Sequence, residues 1–466
     1  MTKRTLGFAD LFFYAVSMAL ATRWLSTAAS AGPSSLWIWL LAVAVFSGPL
    51  IIATAELTTR FDGEGGVYDW TARTFGPFWG FVCGWIYWAC NLPFFAGMLV
   101  FIMNIAALAL GPAGKPLFAN SEAFMAATVA LSLVIGALHY IGLGAGKWLS
   151  NVGAIGGFAL VGALILIGVL VGIKHGPATD LIHASYAAPL NANGAILWAT
   201  MVFGVGGTEA LAFLRNDVRG GIKTILKVLG VVAVVQIIVA VGGTGAILFI
   251  MSPQTATRLS GLPDALALGM NSLGAGGFAP IILAGAFLYF LGSYSAWFGV
   301  AARLPFAAGI DAYLPPAFGK RDPKSGAPIV SIATQTVITA AIVVLSQAGE
   351  SLKGAYDFLV AMSVLSYTLP FLFLFSVFLA TQFKPAPEGG WKAPGGRRTG
   401  VAIGMVGLIA TAIAVACTLV PSPDAKDQLG EVLKLVFAAA VLILSGVFFY
   451  AVARWRQTVR ARAASQ

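Results

Sequence analysis

Apolar runs about as long as a bilayer is thick recur along the chain, separated by short polar stretches. A helical span takes about 20 mostly apolar residues. On that rule the pattern predicts twelve spans, at about 8–31, 36–59, 77–110, 123–142, 148–173, 194–214, 224–251, 276–307, 329–345, 355–381, 402–419 and 429–452. Little chain remains for a soluble domain. Two of the runs break their own pattern. The first carries Arg23 about half-way along, in the company of Ser17, Thr22, Ser26 and Thr27, and the sixth reads Phe203-Gly-Val-Gly-Gly-Thr-Glu209.

Composition agrees with a polytopic all-α membrane protein: 59% of residues are hydrophobic, 10% are charged and the mean hydropathy is +0.88. Such values lie outside those of soluble globular domains. The first run is too long for a signal peptide, carries an arginine and lacks a small-residue cleavage site, so it reads as a span. Cys83, Cys90 and Cys417 fall inside apolar runs without metal-ligand spacing and read as free thiols packed as small apolar residues. No metal or cofactor is expected. There is no HExxH pair, no nucleophile beside a suitable base and only three histidines, which argues against an enzyme.

Charge gives orientation. With both ends cytoplasmic, 21 of the 28 Lys and Arg residues fall on the cytoplasmic side, including Lys3, Arg4, Arg215, Arg219, Lys223, Arg397, Arg398 and the tail from Arg454 to Arg462. This positive-inside bias predicts cytoplasmic termini in a plasma membrane, the inner membrane if the source is prokaryotic. The net charge of +10 then reflects topology and contact with anionic lipid, with no nucleic-acid partner implied.

The two interrupted runs carry the chemistry. A guanidinium keeps its proton, and placing one at a helix centre costs about 2.5 to 3.5 kcal/mol on insertion scales. Snorkelling from mid-span is a long reach, so a protein-lined polar cavity is the better reading of Arg23. In the sixth run, three glycines in four positions weaken the helix, and backbone freed there needs burial in protein or a cavity to line. Glu209 reads either as the cap of a following half-helix or as a functional acid, a proton acceptor or a partner of Arg23. The interruptions are five spans apart, the spacing of two five-helix repeats of opposite topology around a midplane site. Half-helix amides there would favour an anionic group.

Several segments resemble the amino acid, polyamine and organocation superfamily of transporters. They are Gly7-Phe-Ala-Asp-Leu11, Ala31-Gly-Pro-Ser-Ser35, Ala55-Glu-Leu57, Glu64-Gly-Gly-Val-Tyr68, Phe75-Gly-Pro-Phe-Trp-Gly-Phe81, the Gly-Gly-Thr-Glu ending at 209, Ala302-Arg-Leu-Pro-Phe306, Asp311-Ala-Tyr-Leu-Pro-Pro316 and Gly326-Ala-Pro328. The resemblance implies a LeuT-like core over residues 1–382, with inverted repeats at about 8–174 and 194–382. Residues 383–466 then form two peripheral helices and a basic tail. It also implies alternating-access transport, with Phe203 as an aromatic gate, Gly204 and Gly206 in the helix-six break, and Ser293, Trp297 and Asn91 lining the pocket.

Two positions depart from that pattern. Met18-Ala-Leu20 stands where many members have a Gly-Ser-Gly-like break, and glycine within Asn151–Gly157 stands where proton-coupled members carry a lysine. Arg23 is therefore the candidate source of positive charge, and Glu209 the candidate proton-linked group. Sodium coupling would need oxygens from helices one and eight, where Ser293 and Ser295 are available. Asp10 and Asp311 read as gate or loop-anchoring residues, and His139 as a buried, satisfied histidine.

The resulting expectation is a proton-linked symporter or exchanger of a small anionic or zwitterionic metabolite, an amino acid, amino-acid derivative or organic acid, with Arg23 on its acidic group. Ser17, Thr22, Asn91, Phe203, Gly204, Gly206, Ser293 and Trp297 complete the expected site. The alternatives are a cationic amino acid or polyamine exchanger and, outside transport, a transporter-like receptor. A monomer and a homodimer are equally compatible with the sequence.

Overall fold

The computed structural model describes residues 7–19, 22–61, 66–141, 143–187, 189–307, 310–323, 327–347, 351–385, 387, 390–421 and 427–464. Among these, eleven helices are long and apolar enough to cross a membrane. They are spans two (Ser34–Arg60), three (Pro77–Ala109), four (Ser121–Ile141), five (Gly156–His175), six (Ala192–Ala212) and seven (Ile222–Ile250), then eight (Gly276–Phe306), nine (Ile329–Ser346), ten (Leu352–Thr381), eleven (Gly396–Thr418) and twelve (Gln428–Ala463). The first of the twelve expected spans is described in shorter pieces and is not among the eleven: the helix Phe8–Ala19, the 3-10 turn Thr22–Trp24 and the helix Leu25–Ser30. Of the expected break at Met18–Leu20, Met18 and Ala19 belong to the first helix, while residues 20 and 21 lie outside the described residues.

Helix is the form these runs must take, because backbone amides in hydrocarbon can be satisfied only within the segment. Span one ends at Gly32-Pro33. Gly32 has φ +81°, a left-handed turn that glycine adopts without steric cost, and its carbonyl accepts the Ser35 hydroxyl at 2.6 Å.

Span six shows its interruption in full. Asn191 caps the first helix through the Gly194 N–H at 3.1 Å, and the helix runs from Ala192 to Gly204. Gly207 then turns the chain at φ +98°, and the chain continues in 3-10 turns over Thr208–Asp217. The sequence reading allowed a half-helix at that point; the tighter 3-10 form takes its place. Gln236 of span seven serves the broken backbone, donating its side-chain amide to the Val205 carbonyl at 3.1 Å while its oxygen accepts from Ser47 of span two at 3.0 Å.

Spans two and seven each contain a π-helical turn, Val43–Ser47 and Ile238–Gly242. Such turns leave backbone groups out of register and recur near functional sites. These two are five spans apart, as the interrupted spans are.

Spans three, six and ten are the most buried and span twelve the most exposed. Span three packs on spans eight, nine and ten, and span five lies along span eight. The centre is rich in aromatic side chains: Phe101 of span three meets Phe290 of span eight edge to face at 4.9 Å, an arrangement worth about 0.5 to 1.5 kcal/mol beyond its area burial. Span eleven packs on spans six and ten, and span twelve reaches the body through Trp85, whose indole N–H donates to the Leu442 carbonyl at 2.8 Å.

Candidate substrate site

Between spans one, three, six, eight and ten lies a narrow cleft of about 70 Å³. Its polar floor is one turn of span one. Within Thr22–Trp24, the Thr22 hydroxyl lies 2.9 Å from the Tyr289 hydroxyl of span eight, and the Arg23 Nε donates to the Tyr356 hydroxyl of span ten at 3.1 Å. Trp24 packs edge to face on Phe203 of span six, with centroids 5.1 Å apart.

Arg23 is 3% exposed, and no ion pair holds it among the described residues. Its guanidinium carbon lies 4.8 Å from the Trp24 ring centre, 5.1 Å from Tyr356 and 5.7 Å from Phe94. Cation–π contacts of this kind return about 0.5 to 2 kcal/mol each and offset part of the cost of burying the charge. One nitrogen, Nη1, faces the Met98 sulfur at 4.0 Å, a weak acceptor. The other, Nη2, is buried and makes no hydrogen bond among the described residues. An unpaired donor on a buried cation is expensive, and a carboxylate oxygen would satisfy it with a short charge-assisted bond.

Glu209 is wholly buried and does not pair with Arg23. Its Oε1 accepts the hydroxyls of Tyr87 at 3.0 Å and Tyr367 at 2.7 Å, and its Oε2 accepts the Gly207 N–H at 3.0 Å. Three donors therefore stand where a cationic partner was one of the expectations. The backbone bond within the break also gives Glu209 part of the capping role read from the sequence. Tyr367 links the acid to the cleft, since its ring lines the cleft and meets Phe203 at 4.9 Å.

The expected residues largely converge. Thr22, Arg23, Asn91, Phe203, Gly204, Gly206, Ser293 and Trp297 all line this cleft. Asn91 spends its amide nitrogen on the Tyr87 and Trp88 carbonyls of its own helix, at 2.9 and 3.1 Å. The side chains of Ser17, Asp10 and Asp311 lie outside the described residues. His139 is buried away from the cleft, with its Nε2 3.0 Å from the Ser295 hydroxyl.

Sequence reasoning missed the tyrosines that organise the site, Tyr289, Tyr356 and Tyr367, and also Phe94 and Met98. One signal was available: Tyr356 and Tyr367 are eleven residues apart, three helical turns, and so share a face of span ten.

A family model described as amino acid permease matches residues 6–448. An uncharacterized transporter of Legionella pneumophila is 24% identical over 458 residues, covering 97% of this chain and 96% of that protein. A probable agmatine/putrescine antiporter of Lactococcus lactis is 22% identical, covering 90% and 88%, and the polyamine transporter PUT1 of Oryza sativa is 28% identical, covering 47% and 40%. Among solved structures, the Eremococcus coleocola manganese transporter in complex with an aromatic bis-isothiourea substituted compound matches with a TM-score of 0.55 at 13% identity, covering 96% of this chain and 94% of that one. That likeness carries the fold alone. The chain is a membrane transporter and not an enzyme, and it belongs to the amino acid permease family.

Proposed function

We propose that the chain is a secondary active transporter, proton-linked or exchanging, that carries a small anionic or zwitterionic metabolite by alternating access and receives the acidic group on Arg23. The observation that supports this most is that Arg23 lines the cleft while its buried Nη2 makes no hydrogen bond among the described residues. A ligand carboxylate would supply the missing acceptor, while Phe94, Phe203 and Trp297 offer apolar and aromatic surface to its body. Thr22, Asn91, Ser293 and the backbone at Gly204 and Gly206 are the further contacts in this reading, with Ser17 kept as a candidate.

Glu209 is the proposed proton-linked group. Its carboxylate holds Tyr367 by a hydrogen bond, and Tyr367 packs on Phe203. A proton on Glu209 removes an acceptor site for one of the two phenols, so the acid's state is passed to the aromatic wall of the cleft. In this reading residues 1–382 are the moving core, built of two inverted repeats, and residues 383–466 are peripheral. Both termini face the cytoplasm, and the protein works in the plasma membrane as a monomer or homodimer.

A second reading has its own support. Relatives named for agmatine, putrescine and polyamines, together with Glu209 and the aromatic rings, favour a cationic cargo. The fixed charge of Arg23 opposes it. Uptake into proteoliposomes, measured by mass spectrometry for succinate, L-glutamate, L-leucine, agmatine and putrescine, separates the two. Protein-dependent accumulation of an acid or zwitterion that Arg23→Gln abolishes supports the first reading. Accumulation of the amines alone overturns it in favour of the second.

A further inference from the structure

Three consecutive side chains of one short turn are each held by a different span: Thr22 by Tyr289 of span eight, Arg23 by Tyr356 of span ten and Trp24 by Phe203 of span six. The first anchor is the least expected, because it carries no charge to Arg23 and touches only its neighbour. Tyr289 is 3% exposed. Its ring lies against Gly157 of span five, where an added β-carbon would stand 2.6 Å from the ring Cε2 and 3.2 Å from Cζ. A side chain at 157 would therefore push the phenol away from the turn.

We propose that Tyr289, admitted by Gly157, is a positioning residue for Arg23. A guanidinium on a flexible stem can turn either face to a cavity, and its direction is set by the backbone that carries it and the donors already occupied. Tyr289 fixes the turn one residue before Arg23, and Tyr356 occupies Nε, so that Nη2 is the nitrogen left over. The hydroxyl pair adds no formal charge, which leaves Arg23 as the cation of the turn. The inference rests on Arg23 as the acid-binding group where it concerns substrate, but the geometry can be tested without any substrate.

The test is the rate at which phenylglyoxal, a guanidinium reagent, modifies Arg23 in the detergent-solubilised full chain, read by peptide mapping. Tyr289→Phe and Thr22→Val each remove one hydroxyl with little change of shape. Each is expected to raise the rate at Arg23 about fivefold, and the double variant is expected to add nothing further, the signature of coupled neighbours. Thr22→Ser, which keeps the hydroxyl, should return the wild-type rate. Arg60, half-buried in its pair with Glu56, serves as the control for general loosening.

Wild-type rates in both single variants, additive effects in the double, failure of Thr22→Ser to restore the rate, or a parallel rise at Arg60 would each overturn the proposal. Its substrate arm is read by thermal stabilisation with phenylacetate. Tyr289→Phe should raise the half-stabilising concentration about tenfold. An unchanged concentration overturns the role in acid binding. Stabilisation by phenylacetate that survives Arg23→Gln overturns the acid-binding reading itself while leaving the labelling result intact.

Discussion

Arg23 of span one extends its Nη2 into space that Gly97 of span three leaves open: a β-carbon added at Gly97 would stand 2.7 Å from that nitrogen and 3.3 Å from the Leu359 Cβ. The glycine is thus a seat for the guanidinium within span three. Gly97→Ala is expected to fold, because the far end of an arginine can shift. The displaced guanidinium should weaken binding of a carboxylate ligand about tenfold, within the 1 to 3 kcal/mol typical of overpacking. Comparing ligand-induced and ligand-free melting temperatures checks this. A loss of ligand-free stability with unchanged ligand response would show that Gly97 serves packing alone.

Glu209→Gln mimics the protonated acid and removes the carboxylate that accepts from Tyr87 and Tyr367. Wild-type uptake should rise when the outside is made acidic, because the inward proton gradient then drives the cycle. The variant should keep counterflow exchange but lose that stimulation. Uptake in proteoliposomes with and without an imposed pH gradient distinguishes the two, and a variant that still responds to the gradient removes Glu209 from coupling.

Gln236→Leu leaves the Val205 carbonyl and the Ser47 hydroxyl without their partner in span seven. Each stranded group costs about 1 to 3 kcal/mol when buried. The break in span six should loosen as a unit, seen as faster hydrogen exchange across residues 203–209 together with a lower melting temperature. Unchanged exchange there would mean that the break is held by other contacts.

Gly207→Ala forces an L residue into φ +98°, at a cost of about 1 to 3 kcal/mol. It should also move the N–H that binds Glu209. The expected result combines lower thermal stability with slower transport. Normal transport at reduced stability would separate the turn from function.

The legible parts of this molecule were those where one residue contradicts its surroundings. Arg23 and Glu209 are ionisable groups in apolar runs, and Gly204, Gly206 and Gly207 are helix breakers at mid-span, so their chemistry shows without any neighbour. The tyrosines carry no such mark. An aromatic side chain in a membrane helix reads alike whether it faces lipid, core or cleft, and Tyr289, Tyr356 and Tyr367 acquire meaning only from the register of spans eight and ten against span one.

Gln236 is an intermediate case. It is a buried polar side chain in an apolar run, visible in sequence, yet its partners lie on spans two and six. The short helices Gly66–Phe75 and Gly261–Ser272 were not read from the pattern because a count of spanning runs passes over short amphipathic segments. The second of these ties to span one, its Leu262 N–H donating to the Ser26 hydroxyl at 2.7 Å.

The most direct measurement is thermal stabilisation of the purified protein by phenylacetate, L-phenylalanine and 2-phenylethylamine, which share an aromatic body and differ in charge, repeated in Arg23→Gln. A ligand that binds only the folded state raises its stability by mass action, about 2.7 kcal/mol at a hundredfold excess over Kd. Stabilisation by the acid or the zwitterion, absent for the amine and lost in Arg23→Gln, is the predicted result. Stabilisation by the amine alone, or by the acid equally in both proteins, would contradict the assignment of Arg23 as the group that receives the cargo.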